Sequence, residues 1–130
     1  MSTVLLDSHV VHWWSAEPDR ISSAASSALG EATELAVADI SWFELAWLAR
    51  HERIVVSIPI DAWLQRLASQ VRTIPVTPAI ASTAVNLPSS FPGDPADRLI
   101  YATAIEHGWP LITKDQRLLA HRHPRGVAVW

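Results

Sequence analysis

Four acidic residues, Asp7, Glu44, Asp97 and Asp115, fall where an α/β chain would gather them. Asp7 closes the apolar run Thr3-Val4-Leu5-Leu6, and Asp115 follows Pro110-Leu111-Ile112-Thr113. Glu44 lies in the first turn of a helix after the run Leu35-Ala36-Val37-Ala38, and Asp97 in the first turn of a helix opened by Asp94-Pro95. In a β-α-β unit the crossover helix runs antiparallel to its strands. Helix N-termini and strand C-termini then share one edge, the edge where open α/β sheets bind ligands. Carboxylates crowded there repel one another unless a cation neutralises them. An all-oxygen donor set suits Mg²⁺ or Mn²⁺. The pattern is that of a metal-dependent enzyme acting on a phosphate.

The elements that must position these acids can be read from the apolar pattern. Strands are predicted at 3–6, 35–38, 74–77 and 111–113, with an edge strand at 127–130. Helices are predicted at 9–15, 22–32 (capped by Ser22), 41–53, 60–71 and 78–87. A further helix runs from Asp94 to His107 and stops at Gly108, and a short helical turn covers 115–120. Residues 54–58 are β-branched and read as a brief extended piece, and 89–93 as a turn-rich loop. Alternating strands and helices imply an α/β domain: a central, mostly parallel sheet of four to five strands with helices on both faces. The helix after Asp97 is apolar nearly all round (Leu99, Ile100, Ala102, Ala104, Ile105), which places it in the interior and would hold Asp97 rigidly.

Each acid also has a purely structural reading. Ser41-Trp42-Phe43-Glu44 is a capping-box pattern, Asp97 stands three residues after the N-cap candidate Asp94, and Asp115 can be a turn or cap residue. Acids in first helical turns are favoured by the dipole, so Glu44 and Asp97, each taken alone, read as caps before ligands. Asp7 is different, because an aspartate ending a buried strand is costly unless it is paired or metal-bound. The coincidence of all four at one sheet edge carries the argument. Among their neighbours, Ser8 and Thr113 could orient a ligand water, and Arg98 is expected to form an ion pair. His9 and His12 have the i,i+3 spacing of metal ligands but lack a third partner in sequence. The segment His121-Arg122-His123-Pro124-Arg125 reads as a solvated loop, with RNA contact as the sharper alternative.

Composition narrows the classes. A chain of 130 residues, 49% hydrophobic and 18% charged, fits one folded domain spanning 1–130. The absence of cysteine excludes disulfides, thiolate zinc sites and cysteine nucleophiles. It suits a reducing cytoplasm. No signal-peptide pattern and no apolar run of membrane-spanning length are present. A net charge of −3 argues against a protein that coats nucleic acid. A local basic rim remains open, since arginine grips phosphates in two places. Seven tryptophans raise the expectation of a partner surface. No G-x-G-x-x-G or G-x-S-x-G is present. Asp7 is not followed two residues later by a second aspartate, as an aspartyl-phosphate phosphatase would usually require.

In order, Leu5-Leu6-Asp7-Ser8-His9, Ile40-Ser41-Trp42-Phe43-Glu44, Pro92-Gly93-Asp94-Pro95-Ala96-Asp97-Arg98-Leu99-Ile100 and Leu111-Ile112-Thr113-Lys114-Asp115 resemble a PIN domain, in particular the VapC-type toxins of bacterial toxin–antitoxin systems. The resemblance covers essentially the whole chain. It implies an Mg²⁺- or Mn²⁺-dependent endoribonuclease that is usually a homodimer and is inhibited by a small cognate antitoxin. Carried over, Asp7 and Asp97 would be the principal metal ligands, and Glu44 and Asp115 would complete the site directly or through waters. Two other classes remain open on the residues alone. One is a binding module with a vestigial acidic pocket, anchored by exposed members of Trp13, Trp14, Trp42, Trp47 and Trp63. The other is a DNA-directed nuclease using the same acids.

Overall fold

The computed structural model describes residues 2–121 and 126–130. Strands β1 (Thr3–Leu6), β2 (Glu34–Ala38), β3 (Arg72–Ile74), β4 (Leu111–Ile112) and β5 (Ala128–Val129) form one sheet in the order β3-β2-β1-β4-β5. Every pairing is parallel; Leu5 registers with Ala36 on one side and with Leu111 on the other. The helices are α1 (Ser8–Ala16), α2 (Ser23–Glu31), α3 (Ile40–Arg50), α4 (Ile60–Ala68), α5 (Pro78–Asn86), α6 (Pro95–His107) and α7 (Gln116–Ala120).

Strand side chains alternate between faces, and two cores result. Val4, Leu6, Val37 and Ile112 pack with Val10, Val11 and Trp13 of α1, Leu29 of α2, Leu45 of α3 and Trp63 and Leu67 of α4. Leu5, Ala36, Ala38 and Leu111 pack with Ile100, Tyr101 and Ala104 of α6 and with Leu118 of α7. The sheet is therefore covered on both sides, as its unbroken apolar strands require. Helix α6 buries Asp97, Ile100, Tyr101, Ala102, Thr103 and Ala104, and the one side chain of Ile100 contributes roughly 1.5–3 kcal/mol by leaving water. Gly108 ends α6 at φ 70°, a left-handed conformation that glycine adopts freely.

Several expectations are corrected. The strand expected at 74–77 is instead β3 at Arg72–Ile74. Pro75 has no N–H to continue the ladder, and the Thr77 side chain instead caps α5 by accepting from the Ile80 N–H at 3.2 Å. Residues 54–58 form no strand; Ile54 is buried while Val55 projects into solvent. Helix α4 stops at Ala68. The capping box is absent: α3 starts at Ile40 behind Asp39, so Ser41 lies inside the helix. Of the segment 121–125, residues 122–125 lie outside the described residues. The described chain has no helix long and apolar enough to cross a membrane.

Among the described residues Arg98 forms no ion pair. Its guanidinium donates to five backbone carbonyls, those of Pro92 (3.0 Å), Ala84 (3.1 Å), Leu87 (3.2 Å), Pro88 (3.2 Å) and Phe91 (3.3 Å). A loop joining two packed helices leaves carbonyls without ladder partners, and the five N–H groups of one arginine satisfy them. Lysine, a point donor, cannot span that set. Arg98→Lys is expected to lower stability by roughly 2–4 kcal/mol in urea unfolding. A loss below about 0.5 kcal/mol would show that these bonds do not hold the loop.

Candidate active site

The Asp7 N–H donates to the Ile112 carbonyl at 3.0 Å, carrying the β1–β4 ladder one residue past β1. The chain then turns into α1 with Asp7 as its N-cap. Both carboxylate oxygens are engaged: Oδ1 accepts from the Ser8 N–H at 2.8 Å and Oδ2 from the Thr113 hydroxyl at 2.6 Å. Thr113 is fully buried, and its Oγ1 in turn accepts from the Asp115 N–H at 3.1 Å. One hydroxyl thus fixes Asp7 relative to Asp115.

Ser8 plays the matching part for Glu44. Its buried Oγ lies 2.7 Å from Glu44 Oε1 and 2.9 Å from Ser41 Oγ. A hydroxyl has one proton to donate, so Ser8 serves the carboxylate and accepts from Ser41. The hydroxyls of Ser8 and Thr113 thus grip the acids themselves. Asp94 caps α6 by accepting from the N–H groups of Ala96 (2.8 Å) and Asp97 (3.2 Å). This fixes the backbone from which Asp97 projects.

Asp7, Glu44, Asp97 and Asp115 line one cavity of ≈ 500 Å³, together with Asp94 and with Ser8, His9, Val10, Trp13, Arg20, Leu48, Lys114 and Arg117. All four acids singled out in the sequence therefore meet there. Burial, then repulsion from Asp94, Asp7 and Asp115, pushes the Asp97 carboxyl up to about 7, against the pull of Arg117. Burial also raises Asp7, opposed by the Thr113 and Ser8 bonds. Burial raises Glu44, opposed by Ser8 and aided by Asp7 and Asp94. Asp115 moves the other way, held below the usual carboxylate range chiefly by its hydrogen bond from Arg117.

Arg117 also lines this cavity, and nothing in the sequence signals it. Its Nη2 lies 2.8 Å from Asp115 Oδ2 and 3.2 Å from Asp97 Oδ2, and its Nε lies 3.1 Å from Asp115 Oδ1. An i,i+2 charge pair suggests nothing on a helix, where such residues do not face each other. It works here because Asp115 is the cap of α7 and not a member of it.

The donor set fits a hard cation. It consists of carboxylate and hydroxyl oxygens, and Asp7, Glu44 and Asp97 are each raised first by burial and then by the charge of neighbouring acids. Among the described residues no three histidine, cysteine, aspartate or glutamate side chains form a ready-made cage. Mg²⁺ keeps most of its water and takes one or two carboxylates. His12 is engaged by Glu17 at 3.0 Å and packs edge-on against Trp63, while His9 lines the acidic cavity. Of the tryptophans considered as anchors, Trp13 and Trp63 are core residues, Trp42 donates to Thr73 at 3.0 Å, and only Trp47 is an exposed large hydrophobic.

Comparison with known proteins gives the same direction. The PIN domain family profile matches residues 4–123. Ribonuclease VapC22 of Mycobacterium tuberculosis is 72% identical over 130 residues, covering all of both chains. A toxin–antitoxin complex from Klebsiella pneumoniae matches with a TM-score of 0.72 at 19% identity, over 98% of this chain and 96% of the other. VapBC-1 from nontypeable Haemophilus influenzae matches with a TM-score of 0.65 at 16% identity, over 89% of this chain and 92% of the other.

The cost of burying Asp97 among other acids is measurable without any substrate. Asp97 titrates near 3.8 when free and near 7 in the fold. The folded state therefore holds the proton more tightly, and its stability is lost as pH rises from about 4 to about 7. In EDTA, Asp97→Asn is expected to melt several degrees above the wild type at pH 8, with the advantage shrinking to nothing near pH 4. Equal melting temperatures across that window would refute the strained carboxylate.

Proposed function

The chain belongs to the PIN-domain family, and on that premise we propose that it is a divalent-metal-dependent endoribonuclease, the toxin of a toxin–antitoxin pair. The observation that carries this reading is the convergence of Asp7, Glu44, Asp97 and Asp115 on one cavity at the carboxyl edge of β1 and β4. The full-length likeness to a protein named as a ribonuclease supports RNA as the substrate.

Asp7 and Asp97 are the groups assigned to hold Mg²⁺ or Mn²⁺. When bound, the ion supplies Lewis-acid activation of water and offsets charge on the phosphate. The protein's own part is positional and acid–base. Thr113 and Ser8 keep Asp7 in one orientation, and the Asp94 cap does the same for the turn carrying Asp97. Glu44, with Oε1 held by Ser8 and its proton affinity raised by burial, is placed to take the proton of the water that attacks phosphorus. The phosphorus–oxygen bond to the departing nucleotide then breaks. Asp115, saturated by Arg117, is a poorer base and completes the negative field. In this reading the chain works in the cytoplasm as a homodimer restrained by a small antitoxin protein. The exposed side chains of Phe43 and Trp47, one helical turn apart on α3, are apolar surface available to such partners.

The test is cleavage of labelled RNAs and single-stranded DNA with Mg²⁺, Mn²⁺ or EDTA. The wild type should cut RNA only with metal present. Asp7→Asn and Asp97→Asn should each lose at least about a hundredfold in rate while keeping the circular dichroism of the fold. Undiminished cutting by both variants, or equal cutting in EDTA, would overturn the assignment.

A further inference from the structure

The acidic cavity does not end at its acids. On the α1 side it is bounded by His9, Trp13, Arg20 and Lys114. A second cavity of ≈ 580 Å³ begins at His9, Trp13 and Arg20 and runs on to Arg53. The two cavities have His9, Trp13 and Arg20 in common, so they adjoin, and cations line both.

The cations are placed by an aromatic floor. Trp13 is a core residue, and its ring carries the Arg20 guanidinium at 4.8 Å and the Lys114 ammonium at 5.7 Å. Trp130 packs against the same ring at 6.0 Å between centroids, locking the floor from the other end of the chain. Both cations are exposed. Among the described residues the one ion pair of Arg20 is a long one, 3.8 Å to Glu17, which is itself shared with His12. Among the described residues Lys114 and Arg53 have no ion pair, although Lys114 borders a cavity full of acids. A cation–π interaction fixes such a side chain without cancelling its charge.

We propose that Arg20, Lys114 and Arg53, arranged by Trp13, form a phosphate-binding subsite that grips the RNA strand on one flank of the cut bond. The inference rests on the ribonuclease reading above and names the path its substrate takes. A polyanion is repelled by the acidic centre, so its affinity must come from cations beyond that centre. Arg117 is already committed to Asp97 and Asp115. The strand therefore leaves on the α1 side.

The experiment measures binding and cleavage of a labelled RNA that the wild type cuts, across a salt series. Binding is read by fluorescence anisotropy in EDTA, and cleavage at saturating metal. Arg20→Gln and Lys114→Gln should each weaken binding about threefold to tenfold and flatten the slope of log affinity against log salt by about 0.7 for each phosphate no longer gripped. The effect should appear in KM, with kcat kept. Arg66→Gln, on the exposed face of α4, is the control and should change neither. Shortening the RNA on one side of the cut should erase the difference between Arg20→Gln and wild type, and shortening the other side should not. Unchanged affinity and salt slope in both variants, or an effect confined to kcat, would overturn the subsite while leaving the nuclease intact. Weakened affinity for an acidic peptide but not for RNA would assign these cations to a protein partner and also overturn it. A wild type that cuts no RNA would instead bring down the ribonuclease reading.

Discussion

All five strands run the same way, and the site depends on that constraint. A parallel sheet sends every strand's carboxyl end and every following helix's N-terminus to one edge. Pairing β1 with β4 closes a separation of 106 residues and sets the Thr113 hydroxyl 2.6 Å from Asp7. That one hydrogen bond ties the first acid to the last. Ser8 and Ser41 do the same between α1 and α3. Short hydroxyl groups hold Asp7 and Glu44, and Arg117 holds Asp97 and Asp115.

Such a cluster is a liability for folding. Burial and like charge raise Asp7, Glu44 and Asp97 above their ordinary proton affinities. Two devices offset the repulsion within the protein itself. Asp7, Asp94 and Asp115 each cap a helix, so their charge meets unsatisfied N–H groups and the positive end of a dipole. Arg117 then bridges Asp97 and Asp115. For Asp7 and Asp115 capping and a place in the acidic cavity go together, because the helix N-terminus at the sheet edge offsets part of their charge.

The basic residues divide by task. Arg98 is consumed by backbone carbonyls and keeps the α5–α6 connection in place behind Asp97. Arg117 belongs to the acids. Arg20 and Lys114 rest on Trp13 at the rim, their charge facing outward. A chain with net charge −3 can in this way present a local positive path beside a negative centre. Composition averages over that arrangement and hides it.

The α/β class, the interior character of α6, its Asp94 cap and its Gly108 stop were all legible in the sequence, because each is set by local periodicity and cap chemistry. The four acids were legible too, since strand–helix alternation alone dictates which edge they share. Local patterns misled where a distant partner decided the matter. Ser41-Trp42-Phe43-Glu44 has the form of a capping box, yet Ser41 and Glu44 both turn to Ser8, 33 and 36 residues away. Arg98 follows an aspartate in sequence but finds carbonyls made available by the turn after α5. Arg117 and the Trp13 platform left no periodic trace, because their partners come together only when β4, α1 and the last residue, Trp130, are packed. Sequence by itself determined which elements form and which edge collects the charge, since those follow from backbone periodicity and handed crossovers. Only the tertiary structure decided which oxygen faces which donor, because hydrogen bonds and charges act over a few ångströms and the chain distance between their partners does not matter.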